Sequence, residues 1–275
     1  MRIGIVGTEN SHADHYIRHF NTEADYPGHR VVALSGGPND RNRQLAKAGD
    51  IADIVQEPAE LIGLVDAAIV CSRDGRKHRA EATVLLDASM PVLVDKPLAC
   101  DLEDAQAILD TAARRGVPVT SFSALRYARQ VTDIKLADPD LLAITGPADA
   151  TSPYGGIFFY GIHIAEIALA LAPGRPIGEV SVQNLDDAVI ATTRAGKTTI
   201  MLEFVKPDTR TEVPWRIVAA SNGRLLAEQI RLDADYARPS IDVFAAMLDS
   251  GTAPLSDAEL LAPVRILSAL VPAIH

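Results

Sequence analysis

The 275-residue chain has only two cysteines, Cys71 and Cys100. That is too few for a disulfide framework or a thiolate zinc site. Both stand in apolar or strand-like surroundings, where a free cysteine packs as a small hydrophobe. An excess of basic charge is also missing: 26 Lys and Arg stand against 36 Asp and Glu, a net charge of −10. This balance argues against a nucleic-acid groove or a membrane surface, because both reward clustered cations. No apolar stretch reaches the ~18 residues of a membrane span, and the longest, Ile157 to Ala172, carries His163 and Glu166. Nor does a leader-like segment precede the first apolar run, since Met1-Arg2 leads directly into Ile3-Gly4-Ile5-Val6. The expectation is a soluble protein of the reducing cytoplasm. Low complexity and internal repeats are absent, and 48% hydrophobic with 23% charged residues is ordinary globular composition. The length admits one large domain or two modest ones.

The first 121 residues alternate continuous apolar runs with helical patterns. Strands are predicted at Ile3–Val6, Val31–Leu34, Ala67–Cys71, Val92–Val94 and Val117–Ser121, with a weaker one at Asp53–Val55. Runs of this kind suit parallel strands covered on both faces. Helices are predicted at Ser11–Asn21, Arg41–Ala48, Lys77–Ala88 and Asp101–Arg115; the last has an Asp N-cap and a basic, glycine-terminated end. This grammar predicts an α/β, Rossmann-like, doubly wound parallel sheet over residues 1–121. Over residues 122–275 the pattern changes. Helices are predicted at Ala128–Ala137, Phe158–Leu171 and Asp257–Leu270. An apolar run at Leu141–Ile144 precedes strands in series at Glu179–Asn184, Ala188–Thr193, Thr198–Val205, Trp215–Ala220 and Arg224–Gln229. Strands in series without helices between them imply an α+β second domain with a mostly antiparallel sheet.

The turn after the first strand reads Gly7-Thr8-Glu9-Asn10-Ser11-His12. A strand–glycine–helix junction suits a pyrophosphate, but the dinucleotide fingerprint has three glycines. Here Glu9 and His12 occupy the second and third. Either Asn10, Ser11 and His12 donate hydrogen bonds to a cofactor phosphate, or the turn is a plain connection with Asn10 or Ser11 as N-cap. The end of the second strand, Ser35-Gly36-Gly37, also lacks the acid that would hold the ribose 2′-hydroxyl of NAD. Arg41 and Arg43 follow, which tilts the expected cofactor from NAD towards NADP, unless both arginines only begin a solvated helix. Further on, Val92-Leu93-Val94-Asp95-Lys96-Pro97 places Lys96 at the carboxyl end of a parallel strand, where ligands bind in open α/β sheets.

Taken with Ile3-Gly4-Ile5-Val6-Gly7, Asp66-Ala67-Ala68-Ile69-Val70 leading to His78, Phe122 to Tyr127, and Gly161-Ile162-His163, this motif carries a resemblance. From residue 1 to about 270 the chain resembles the family of glucose–fructose oxidoreductases, inositol dehydrogenases and their relatives. Asp95-Lys96-Pro97 stands for the family's usual E-K-P. The resemblance implies an NAD(P)-dependent oxidoreductase acting on a sugar, polyol or related small hydroxy compound. It implies that Lys96 bonds the substrate hydroxyl and nicotinamide ribose while His163 exchanges the proton. It also implies that Ser72 and His78 lie where the cofactor is contacted, although His78 reads equally as a helix start. The family usually has an Asp four residues before the histidine; here the position is Phe159. Instead Tyr160, His163 and Glu166 are spaced to share one helix face, and the pairing of G-T-E-N-S-H with Y-G-I-H-x-x-E resembles an atypical subgroup. Tyr160 or Glu166 would then assist His163, and Arg126 and Tyr127 would hold the substrate. The family's exposed sheet face suggests a homodimer or homotetramer.

Two other readings remain open. The departures at Glu9, His12 and Phe159 fit a non-catalytic member that binds a small ligand or partner. His12, His15 and His19, with Asp14, would suit a metal-dependent hydrolase, but no second cluster completes a shell, so no metal is expected. His29 and His275 carry no signal.

Overall fold

The computed structural model describes residues 1–136, 139–208 and 210–274. The chain forms two units. The first comprises residues 1–99, 103–122 and 237–257, and the second residues 100–102, 123–236 and 258–275.

In the first unit, β1 (Arg2–Val6) leads to α1 (His12–Ile17), whose last turn widens into a π-helical segment at Arg18–Thr22. The single helix predicted over Ser11–Asn21 therefore changes pitch. The wide turn carries Asn21, buried, onto the start of the next strand: it donates to Val31 O at 2.8 Å and Gly49 O at 2.7 Å, and accepts from Val31 N at 2.9 Å. There follow β2 (Arg30–Ser35), α2 (Asn39–Gly49), β3 (Asp53–Val55), β4 (Ala67–Val70), α3 (His78–Asp87), β5 (Val92–Val94), α4 (Leu102–Arg115) and β6 (Val119–Thr120). All pairings are parallel, in the order β3-β2-β1-β4-β5-β6. Ile3, Ile5, Ile69, Val70 and Val94 are wholly buried or nearly so, which explains runs that do not alternate. β6 is shorter than the predicted Val117–Ser121 because the Val117 N–H turns back to Ala112 O at 3.2 Å, closing the helix end. The strand order reverses direction at β1, between β2 and β4, and there a parallel sheet opens a crevice.

In the second unit, the helix predicted over Ala128–Ala137 is reduced to α5 (Arg129–Thr132) after a 3-10 turn at Ala124–Tyr127. Of its apolar residues among those described, only Val131 is buried, and a short helix without a packed face does not propagate. Ala137 and Asp138, like His275, lie outside the described residues. Next come β7 (Leu141–Pro147), α6 (Phe158–Leu171), β8 (Ser181–Asn184), β9 (Ala188–Ala195), β10 (Thr198–Val205), β11 (Trp215–Ser221) and β12 (Arg224–Ile230). The sheet order is β12-β11-β7-β10-β9-β8. Every pairing is antiparallel except β7 with β10. α6 is largely apolar and, apart from Tyr160 and its last turn, mostly buried, packed on β7 and β10. Gly161 permits this approach: a Cβ there would already lie 3.1 Å from the Phe204 ring.

The helix α7 (Arg238–Ser250) is the element that the sequence reading lacks. It belongs to the first unit, where Phe244 packs edge-on against Phe20 and Asp242 accepts from the Tyr26 hydroxyl at 2.7 Å. α8 (Asp257–Leu270) closes the second unit at the predicted bounds. Among the described residues no helix is long and apolar enough to cross a membrane.

Candidate active site

A cleft of about 600 Å³ lies at the carboxyl edge of the first unit's sheet, lined by Val6, Gly36, Gln56 and Ser72 from the ends of β1 to β4. Three glycines shape its floor. Gly7 has φ +80°, and a Cβ there would sit 2.4 Å from the Ser72 backbone. Gly36 and Gly37 also have positive φ, and a Cβ on Gly37 would lie 2.2 Å from Thr8 Oγ1. Buried Thr8 donates to Asn42, which in turn donates to Gly36 O at 2.6 Å. Ser35 Oγ is buried at the end of β2 with no partner among the described residues. A backbone-lined crevice at the reversal point, kept open by glycines, fits a dinucleotide.

Glu9, in the second-glycine position, is not aimed outward as a plain repulsive charge. Its Oε1 accepts from Arg73 N at 3.2 Å, and its backbone oxygen accepts from the Arg73 guanidinium. The β1 and β4 loops are thus stitched together, helped by Asn10, which donates to Cys71 O. Asn10 also accepts from His12 N at 2.8 Å, so it serves as the local cap, whereas Ser11 makes no capping bond through its side chain. Glu9 still lines the cleft, with Glu57, Glu81 and Lys77. Ser72 donates to Glu81 at 2.8 Å, and burial pushes the Glu81 carboxyl up from its ordinary value.

Lys96 follows β5, its side chain half-buried. Burial pushes its ammonium pKa down, against the pull of neighbouring Asp95 and with help from Arg73. Burial also works against ionisation of Asp95. His12, 2.6 Å away, and Lys96 outweigh it and hold the carboxyl below its ordinary value. His12 therefore meets the acid of the Asp95-Lys96-Pro97 motif. His78 is fully buried, its ring nitrogens 2.7 Å from Pro97 O and 2.9 Å from Ser72 O, so it braces the two loops and does not line the cleft. Arg41 donates to Thr8 O at 3.3 Å and pairs with Asp14, and Arg43 pairs with Asp40. His19 meets Glu23 and Asp25 in a cluster that Arg18 and Arg238 already balance.

In the second unit, α6 presents His163, 6% exposed, with Nδ1 2.6 Å from Ser123 Oγ. A buried ring must find a polar partner, and a residue 40 positions away supplies it. Trp215 meets the imidazole edge-on at 5.2 Å between centroids, and Tyr160 lies 5.8 Å away. Tyr160 stacks on Trp215 and is 45% exposed, which makes an aromatic shelf beside the histidine. Phe159, where the family pattern has its Asp, joins this wall between Tyr154 and Tyr160. Glu166 does not touch His163 by any hydrogen bond. It forms an ion pair with Arg126, the two being 3% and 8% exposed. Burial pushes the Glu166 carboxyl up, and Arg126 offsets only part of this. The guanidinium also lies over the Tyr127 ring, whose hydroxyl is pushed up to about 12 by burial.

Residues 1–123 match the family described as oxidoreductases with an NAD-binding Rossmann fold, Gfo/Idh/MocA. These residues carry that family's Rossmann pattern. It is 32% identical over 190 residues to inositol 2-dehydrogenase 1 of Saccharopolyspora erythraea, a match covering 68% of this chain and 52% of that protein. The match thus spans about half the length of that relative. By fold it is similar to a myo-inositol dehydrogenase from Corynebacterium glutamicum, with TM-score 0.81 and 17% identity over 99% of this chain and 96% of that one. An Agrobacterium radiobacter oxidoreductase solved with NAD+, L-tartaric acid and magnesium superposes with TM-score 0.77 and 14% identity, over 98% and 94% of the two chains.

Against the Gfo/Idh/MocA pattern, Gly7, Thr8, Glu9 and Ser72 gather at or beneath the cleft, and His12 joins Asp95 and Lys96. Arg41 is drawn away to Asp14, and Arg126 and Glu166 close on each other. Sequence reasoning misses Ser123 and Trp215. Ser123 had one local signal, its place as N-cap of the 3-10 turn, where it accepts from Leu125 N at 3.1 Å. Trp215 is brought in by tertiary structure alone.

Proposed function

We propose that the chain is an NAD-dependent oxidoreductase acting on a hydroxyl or carbonyl of an uncharged sugar or cyclic polyol. The observation that carries this reading is Lys96, half-buried at the carboxyl end of β5 with its pKa lowered by burial, beside the His12–Asp95 pair. Gly7, Gly36, Gly37 and Ser72 would hold the dinucleotide, which when bound supplies a nicotinamide ring that takes or gives hydride. By resemblance to the family, Lys96 of the first unit would hold a reacting oxygen, and His163 of the second would be the group that exchanges a proton. The shelf of Tyr160 and Trp215 suits the C–H face of a ring, and Arg126 is engaged by Glu166 and so does not select an anion. NAD is preferred to NADP here because Arg41 and Arg43 are paired with carboxylates, while Glu9, Glu57 and Glu81 line the cleft with one cation, Lys77, among the described residues. A homodimer or homotetramer is part of this reading. It is supported by the half-exposed row of Val218, Met201 and Thr192, and by Leu225 at the sheet's edge. Turnover of myo-inositol, other inositols and free hexoses with NAD+ tests the assignment. Lys96→Met is expected to lower kcat by about 10²–10⁴-fold; unchanged turnover in that variant removes Lys96 from the chemistry.

A further inference from the structure

His163 is a buried histidine without the carboxylate that the family pattern provides four residues earlier. Phe159 fills that position and is committed to the aromatic wall of Tyr154 and Tyr160. What meets Nδ1 is Ser123, itself fully buried, at 2.6 Å. The hydroxyl has one proton and two lone pairs. One lone pair takes the Leu125 N–H at 3.1 Å, a bond fixed by the N-cap geometry of the 3-10 turn. Among the described residues, the hydrogen-bonding partners of the Ser123 hydroxyl are Leu125 N, a donor, and His163 Nδ1. The hydroxyl proton therefore has the Nδ1 lone pair as its acceptor.

We propose that Ser123 is the positioning residue of His163, donating its O–H to Nδ1 and so keeping the proton of the neutral ring on Nε2. The inference rests on the reading of His163 as the proton-carrying group. A carboxylate at Nδ1 does the opposite: it accepts from Nδ1–H and favours the imidazolium. A serine holds the ring just as firmly and adds no charge. Within this unit, Glu166, one helical turn on, pairs with Arg126, with Tyr127 and Glu259 nearby, and Tyr160 and Trp215 present rings to the imidazole. On the strands beneath α6, Glu203 accepts from Thr145 and Arg216 is exposed.

Nitrogen-15 NMR of the full chain, recording the His163 ring nitrogens across pH, tests this without reference to turnover. The wild type is expected to show the Nε2–H form when neutral. Ser123→Ala is expected to show a mixture of the two forms. Ser123→Asp is expected to show Nδ1–H, with the titration moved up by about one to three units. An Nδ1–H ring in the wild type overturns the proposal, as does one titration shared by all three proteins. The wild-type spectrum alone decides if a variant fails to fold. Where turnover is measured, Ser123→Ala should lower kcat tenfold or more with KM little changed, Ser123→Thr should restore it, and Ser123→Asp should move the pH profile as it moves the spectrum. The expected spectra without dinucleotide-dependent turnover sink the oxidoreductase reading and leave the orientation of the ring standing.

Discussion

Replacing Arg126 by Met leaves Glu166 buried at 3% exposure without its cation. Breaking a buried pair from one side typically costs about 3–5 kcal/mol, because the remaining charge has lost its compensation. The carboxyl escapes by taking a proton. With an ordinary value of 4.5, keeping it neutral at pH 7 costs about 3.4 kcal/mol at 1.36 kcal/mol per pH unit. The two routes agree in size. The sign of the pH dependence follows from linkage. A glutamate whose folded pKa is raised holds more protons folded than unfolded, so stability falls as pH rises above 4.5 and levels off above the folded pKa. The deficit of Arg126→Met should therefore shrink by at most about 2.7 kcal/mol between pH 7 and pH 5, because the wild-type Glu166, also raised, changes in the same direction. Trp215 is the single tryptophan and lies in the same unit, so urea unfolding followed by its fluorescence reads the change directly. Removing both charges with Arg126→Met and Glu166→Leu should recover stability to within about 1 kcal/mol of wild type. A loss below about 1 kcal/mol without pH dependence would refute the reasoning, as would a double variant no better than the single.

Two glycine substitutions probe the two units separately. Gly7→Ala places a Cβ 2.4 Å from the Ser72 backbone at φ +80°, so a loss of about 1–3 kcal/mol and at least tenfold weaker dinucleotide binding are expected; calorimetric titration of a variant that binds normally would contradict this. Gly146→Ala puts a Cβ 2.3 Å from Trp215 Cε3. The indole must move off His163, at a cost of about 1–3 kcal/mol, with a red-shifted emission and a lower kcat. An unchanged spectrum would show that Gly146 does not seat the ring.

Local pattern made much of the fold legible. Val92–Val94, Thr198–Val205, Phe158–Leu171 and Asp257–Leu270 have the bounds expected from their apolar runs, because each buries an apolar face. α7 was equally periodic, with Ile241, Phe244, Ala245 and Leu248 buried and Gly251 at its end. Nothing in that pattern says that it returns to the first unit. The π turn and the shortened α5 were hidden for a similar reason: each depends on what the distant chain offers, strand β2 for Asn21 and little burial beyond Val131 for α5. In the site, Lys96 and His163 were visible as motif residues, since strand end and helix face follow from sequence. Their partners were not. Ser123 and His163 are 40 positions apart, as are Arg126 and Glu166, and His12 and Asp95 are 83 apart. Arg41 reads as a phosphate ligand until Asp14 is seen beside it.

On the proposed reading, the first unit's cleft takes a nicotinamide dinucleotide despite carrying one glycine of the usual three. Calorimetric titration of the wild-type chain with NAD+ and with NADP+ tests it directly. Saturable binding of NAD+ at one site per chain and weaker binding of NADP+ are expected. Failure of both dinucleotides to bind at millimolar concentration would contradict it.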